Sequence, residues 1–169
     1  MKGIIYYTDN RLPDSINTPV RSQLLKSRFP IVSCSLKQIP FGKNIVINQD
    51  PGPVTMFMQI LAALKTADTE FVFFCEHDVL YHQTHFEFTP PRDDVFYYNV
   101  NVWRWDFSGK KVITFDHFRS VSGICVGRKK AIEHYEKRLE LIYKMGWDKA
   151  PGQNPKWART MGYEPGKPK

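Results

Sequence analysis

Residues 71–78, FVFFCEHD, run five consecutive apolar side chains straight into Glu76-His77-Asp78. An apolar run without polar alternation suits a strand covered on both faces, as the central strands of parallel sheets are. Such a strand restricts the fold to one that supplies cover on two sides. At 169 residues the chain is long enough for one domain with a real core.

The flanking patterns supply that cover. Residues 3–7 read as a buried strand and 8–15 as a polar loop. Asn17-Thr18-Pro19 carries a helix-start signature, a capping side chain followed by Pro, with Val20, Leu24 and Leu25 as its apolar stripe. Short strands follow over 31–35 and 44–47. Gly52-Pro53 opens a second helix, in which Phe57, Ile60, Leu61 and Leu64 fall at i, i+3, i+4 and i+7. This alternation of strands and helices predicts an α/β sheet, mainly parallel in the first half. The second half predicts a long aromatic strand over 95–103 and a partner over 112–115, turned by Ser108-Gly109-Lys110. A short strand over 122–126 precedes a last helix with Ile132, Tyr135, Leu139 and Ile142 on one face. The expectation is a single Rossmann-like α/β domain over residues 1–148, with a mixed, mainly parallel central sheet flanked by helices. A basic Pro/Gly-rich tail is expected over 149–169.

Charge divides along the same line. Residues 1–127 carry 13 basic and 12 acidic side chains, whereas residues 128–169 carry 11 and 5. Most of the net +7 therefore lies in the last quarter, a solvated surface or a site for an anionic partner. No apolar run approaches the roughly 18 residues that span a bilayer, and the N-terminal apolar stretch is too short for a secretory signal. Cys34, Cys75 and Cys125 are odd in number and widely spaced, as reduced thiols of a cytoplasmic protein would be.

In open α/β sheets, ligands bind beyond the carboxyl ends of the strands. Glu76 and Asp78 lie at such an end. Two carboxylates flanking one residue suit a hard divalent cation that keeps its waters and bridges to substrate phosphates. The plainer reading has them cap a turn. Strand, polar loop, helices and then a buried strand ending in an acidic triplet resemble the GT-A nucleotide-sugar glycosyltransferases, whose DxD motif binds the metal that carries the sugar-nucleotide diphosphate. Glu76 stands here in place of the first Asp, and Asp78 is kept.

Over residues 3–148 the resemblance implies a GT-A-like domain that transfers a sugar, with inversion, from a nucleoside diphosphate sugar (a UDP-sugar foremost) to an acceptor. It implies Mn2+ or Mg2+ held by Glu76, Asp78 and the later His117. It places Thr8, Asp9, Asn10, Arg11 and His77 at the nucleotide, and Ser122 and Gly123 of SVSGICVGRKKAIEHY on the acceptor side. It also requires a carboxylate base. Glu136 and Glu140 read as a solvated helix face and Glu164 as part of the tail, which leaves Asp148, after Gly146-Trp147, with Asp116 in reserve.

Other readings rest on the residues alone. The alternation in NVNVWRWD puts Asn101 and Trp103 on one face, where amides and indoles suit a sugar or ordinary sheet packing. His77, Asp78, His82 and His85 read as zinc ligands only with a tight fold-back; otherwise His82 and His85 pack with Tyr81 and Phe86. Three alternative functions remain. A nucleotidyltransferase would use the same scaffold, although TDNRLPDS has Arg11 but no glycine. A nucleic-acid-binding module would use Trp147, Trp157 and Tyr163 of the basic segment as stacking groups. A carbohydrate binder would keep the fold without the metal.

Overall fold

The computed structural model describes residues 1–106, 108–115, 118–147 and 154–166. Its elements in chain order are β1 (Lys2–Thr8), α1 (Asp14–Leu25), β2 (Ile31–Ser35), β3 (Lys43–Val46), α2 (Pro53–Thr66), β4 (Phe71–Glu76), α3 (Thr84–Glu87), β5 (Phe96–Tyr98), β6 (Trp103–Asp106), β7 (Lys111–Thr114), β8 (Ile124–Gly127), α4 (Arg128–Met145) and α5 (Lys156–Met161). A single domain is built on a six-stranded sheet in the order β3-β2-β1-β4-β8-β5. β3, β2, β1 and β4 pair in parallel, and β8 pairs antiparallel with both β4 and β5. The fold class read from the sequence is the one the structure has: α/β, with a mainly parallel central sheet between helices. No described helix is long and apolar enough to cross a membrane.

The apolar run over 71–75 is central because alternate residues enter different layers. Val72 and Phe74 join Ile5, Tyr7, Phe57, Ile60 and Tyr135 in one core. Phe73 and Cys75 join Ile4, Tyr6, Val20 and Leu24 in the other. α1 therefore covers one face of the sheet, and α2 with α4 covers the other. Gly3 lies on β1 where a Cβ would come within 2.8 Å of the Thr69 side chain, so a larger residue would force that side chain to shift.

Three boundaries differ from the sequence reading. α1 begins at Asp14, ahead of the Asn17-Thr18-Pro19 signature, and contains Pro19. Asn17 faces inward and donates from Nδ2 to the Leu12 carbonyl at 2.6 Å rather than capping the helix. The expected long strand over 95–103 is two strands in two sheets: β5 on the main sheet, and β6 in a separate ribbon with β7 whose side chains are exposed. The expected strand over 122–126 is a 3₁₀ turn at Val121–Gly123 followed by β8.

The described part of the C-terminal segment is not a loose tail. α5 packs on α4 and buries Trp157 completely. That indole stacks on Trp147 at 5.6 Å and meets the edge of Phe57 at 6.0 Å. Beneath it, the buried Arg138 guanidinium lies over Phe57, Tyr135 and Trp157, 4.6–5.2 Å from their ring centres. Arg138 Nη1 donates to Glu164 Oε1 at 2.5 Å, and Tyr135 donates its hydroxyl to the same oxygen at 3.0 Å. Glu164, read from the sequence as a residue that nothing holds, is thus 2 % exposed and paired. The sequence reading failed here because its partner comes from α4, 26 residues earlier.

Removing one member of a buried ion pair strands the other charge in the core. Arg138→Met should therefore destabilise the protein by about 3–5 kcal/mol. The double change Arg138→Met with Glu164→Leu should cost less than the single one. Urea unfolding measures both; a loss below about 0.5 kcal/mol in Arg138→Met would show that the pair does not hold this segment.

Candidate functional site

The site forms where β1 and β4, side by side and parallel, both end. Their register runs from Lys2 opposite Phe71 to Tyr7 opposite Glu76, so the loop after β1 and the acidic triplet after β4 emerge together. A cleft of about 340 Å³ opens there. Its walls include Thr8, Asp9 and Arg11 from β1 and its loop, Glu76, His77 and Asp78 from the end of β4, and Gln59 of α2.

The β1 loop is shaped by its own side chains. Thr8 Oγ1 accepts from the Asn10 N–H at 3.0 Å, and Asp9 Oδ1 from the Arg11 N–H at 3.1 Å. Arg11 then turns back, donating from Nε to Asp9 Oδ2 at 2.6 Å. Burial alone would raise the Asp9 carboxyl. The side-chain and backbone hydrogen bonds from Arg11, with nearby His77, outweigh it and hold the group below its ordinary range. Asn10 sits at φ 62°, the left-handed region that glycine and asparagine tolerate best. Its Oδ1 accepts from the Leu36 and Lys37 N–H groups at 2.8 and 2.9 Å, which ties the loop to the end of β2.

The β4 end is held from the other side. Tyr7 donates its hydroxyl to Glu76 Oε1 at 2.7 Å, and the Glu76 N–H donates to the Tyr81 hydroxyl at 3.0 Å. Burial, and then the Glu76 charge, push the Tyr7 hydroxyl well above its ordinary value, so it remains a donor to that carboxylate. His77 Nδ1 lies 2.7 Å from Thr8 Oγ1 and 3.9 Å from Asp9 Oδ1. Asp78 lines the cleft with its side chain exposed. Within the cleft, Arg11 is bound to Asp9, and Glu76 and Asp78 add two further carboxylates at the end of β4. Leu36 follows β2, on the side of β1 away from β4, and Pro51, Pro53 and Met56 add further apolar lining.

Of the residues singled out from sequence, Thr8, Asp9, Arg11, Glu76, His77 and Asp78 converge on this cleft. Asn10 does not line it but shapes the loop. Ser122 and Gly123 are buried in the turn before β8, where a Cβ on Gly123 would come 2.9 Å from the Asn99 carbonyl. Asn101 and Trp103 lie apart, at the exposed ribbon, with the indole N–H donating to Asn101 Oδ1 at 2.7 Å. Asp116, His117 and Asp148 lie outside the described residues. Trp157 is consumed by core packing and stacks with Trp147, so these two rings do not form the open stacking surface a nucleic acid would need. Sequence reasoning missed Gln59. Its only signal was a polar residue between Phe57 and Ile60 on the buried stripe of α2.

No family model matches the chain, and no curated protein matches it. Among solved structures the fold is similar to that of the bifunctional IspDF from Campylobacter jejuni, with a TM-score of 0.53 and 16% identity over 82% of this chain and 44% of that one. The chain thus spans less than half the length of that protein. This corrects the resemblance to GT-A glycosyltransferases: the likeness found is to IspDF. The misleading signal was general, since a strand–loop–helix order with acidic residues at a strand end recurs across parallel α/β folds that carry unrelated chemistries.

His82 and His85 are each engaged by other neighbours. Among the described residues no group of three or more His, Cys, Asp or Glu is placed to hold a metal ion. His82 Nδ1 is bound locally to Thr84, at 2.9 Å from Oγ1. His85 packs among Phe73, Tyr81 and Phe86, with ring centres 5.0–5.2 Å away. Burial lowers its pKa from 6.5 to about 4, so it is neutral in the folded protein. The unfolded chain takes up a proton near 6.5, and the folded protein only near 4. Stability is therefore full above the unfolded value and declines as pH falls between the two, by about 3 kcal/mol in all. His85→Phe should make the variant gain on the parent between pH 6.5 and 4.5 in urea unfolding. A difference between the two that does not change with pH would refute the assignment.

Proposed function

We propose that this protein is a nucleotide-dependent transferase of the nucleotidyltransferase kind, binding a nucleoside triphosphate with a divalent cation in the β1–β4 cleft. The observation that carries the reading is the convergence of Thr8, Asp9 and Arg11 with Glu76, His77 and Asp78 at the carboxyl ends of adjacent parallel strands. Ligands of open α/β sheets bind in that position. The fold shared with a bifunctional enzyme, IspDF, agrees with it. The missing glycine after β1 is no obstacle, because Asn10 takes the left-handed conformation a glycine would supply.

Two carboxylates suit a cation only when other oxygens complete its shell. Mg2+ and Mn2+ commonly bind through one or two carboxylates, waters and substrate phosphates, and Glu76 with Asp78 match that donor set. Bound there, the cation would neutralise the charge gathering on the leaving group. The residues themselves bind and orient. A deprotonated acceptor oxygen would form a bond to the α-phosphorus while the bond from that phosphorus to the oxygen bridging to the β-phosphate breaks, its electron pair leaving with pyrophosphate. On the neighbouring wall, the Arg11 and His77 N–H groups that Asp9 and Thr8 do not engage would donate to phosphate oxygens.

Thermal unfolding with each nucleoside triphosphate, with and without Mg2+ or Mn2+, tests the reading. At least one nucleotide should raise the unfolding temperature in a cation-dependent way. Asp78→Asn should keep the parent fold, since the side chain is exposed, and weaken nucleotide binding by roughly tenfold or more. If no nucleotide stabilises the parent with either cation, the assignment is wrong.

A further inference from the structure

We infer that Gln59 is a specificity-determining residue that reads an N–H donor on the edge of the nucleobase; this rests on the nucleotide reading of the cleft. Gln59 is 3 % exposed, at the base of the cleft, on the face of α2 that lies against β1 and β2. Its amide nitrogen donates twice, to the Thr8 carbonyl at 2.8 Å and to the Cys34 carbonyl at 3.3 Å.

Those two bonds fix the side chain's polarity. Backbone carbonyls only accept, so the NH₂ group must face them; a flipped amide would set oxygen against oxygen. Both amide hydrogens are then committed to the strand ends. The Oε1 atom accepts from no described residue and keeps some access to solvent, so it can be reached from the cleft. Gln59 therefore offers the cleft an acceptor and nothing else.

The surroundings say which part of a nucleotide would meet it. The acidic end at Glu76 and Asp78 repels phosphate unless a cation intervenes, and it fits the cation–phosphate end of the ligand. Leu36, past the end of β2 and away from β4, and Pro51, Pro53 and Met56 give the cleft its apolar lining. Thr55 Oγ1 donates to the Asp50 carbonyl at 2.6 Å and holds the 50–53 loop against α2. A flat, largely apolar ring fits between such walls, with one polar contact at its edge. A base that presents N–H to Gln59 completes the amide; a base that presents only an acceptor there leaves two oxygens facing each other. Unpaired buried polar groups of this kind are what give hydrogen-bonding sites their strong discrimination.

The test measures binding of the four nucleoside 5′-triphosphates with Mg2+, then takes the tightest and its analogue with the edge N–H replaced by N-methyl. In the unaltered protein, methylation should weaken binding tenfold or more. Gln59→Leu should bind the unmethylated nucleotide correspondingly less well and no longer distinguish the two. Circular dichroism and thermal unfolding confirm that the variant is folded, and the methylated ligand tests the parent chain without any variant. Equal binding of both ligands by the parent overturns the inference and leaves the nucleotide reading standing. Discrimination that persists in Gln59→Leu overturns it too, since the methyl group is then excluded by shape alone. Failure of all four nucleotides to bind overturns the functional reading beneath it.

Discussion

The parallel pairing of β1 with β4 is the constraint on which the rest of the site depends. It sets β1 between two parallel neighbours, with β2 on one side and β4 on the other. The chain leaving β1 turns toward α1 and β2, whereas β4 ends in Glu76-His77-Asp78, so a crevice opens where the two paths part. No residue of the cleft is near all the others in sequence. Tyr7 and Glu76 are 69 residues apart and meet only because the register places them opposite one another. A slip of one residue would turn Tyr7 and Glu76 to opposite faces of the sheet and exchange the two cores. The two apolar layers, which take alternate residues of β4, hold the register and thereby hold the site.

Polar groups inside this fold are placed where backbone would otherwise lack partners. Gln59 satisfies carbonyls at the ends of β1 and β2, Asn10 satisfies amides after β2, and Tyr81 satisfies the last amide of β4. Each acts at a point where a ladder stops and a buried group would cost free energy if left unpaired. The same logic at larger scale joins the C-terminal segment to the domain. Arg138 has three aromatic rings around its guanidinium and one carboxylate for its charge, and α5 supplies both Trp157 and the approach of Glu164.

How much of this was legible in the sequence follows from the range of each interaction. The central strand and α2 were readable because burial on two faces, or on one helical stripe, leaves a local pattern. The acidic triplet was readable because charge directly after an apolar run is a local contrast. Arg138 and His134 were hidden beside Lys137 and Glu140 on the face of α4 read as solvated, although both lie close to the stripe of Tyr135, Leu139 and Ile142. Period alone cannot tell a buried arginine from an exposed one; its partner can, and that partner lies beyond the range of any helical repeat. Asn10 is the converse case. A polar residue at the end of a strand invites a ligand role, yet its carbonyl oxygen is already filled by two amides of another strand's loop.

The cleft's two ends also differ in how much they can do unaided. The apolar lining and Gln59 are neutral, whereas the side that carries Glu76 and Asp78 is not. Asp9 is paired with Arg11, and Glu76 and Asp78 put two more carboxylates at the end of β4, where Tyr7 donates its hydroxyl to Glu76. Anionic phosphate would add charge of the same sign at short range, where the local dielectric is lower than in bulk water and repulsion correspondingly larger. A divalent cation resolves the conflict on both sides at once, since it needs the phosphate oxygens to complete its shell as much as the phosphates need it. On the proposed nucleotide reading, cation and nucleotide should therefore bind as a unit, with the Gln59 side of the cleft selecting the base and the carboxylates admitting the phosphates only with the cation.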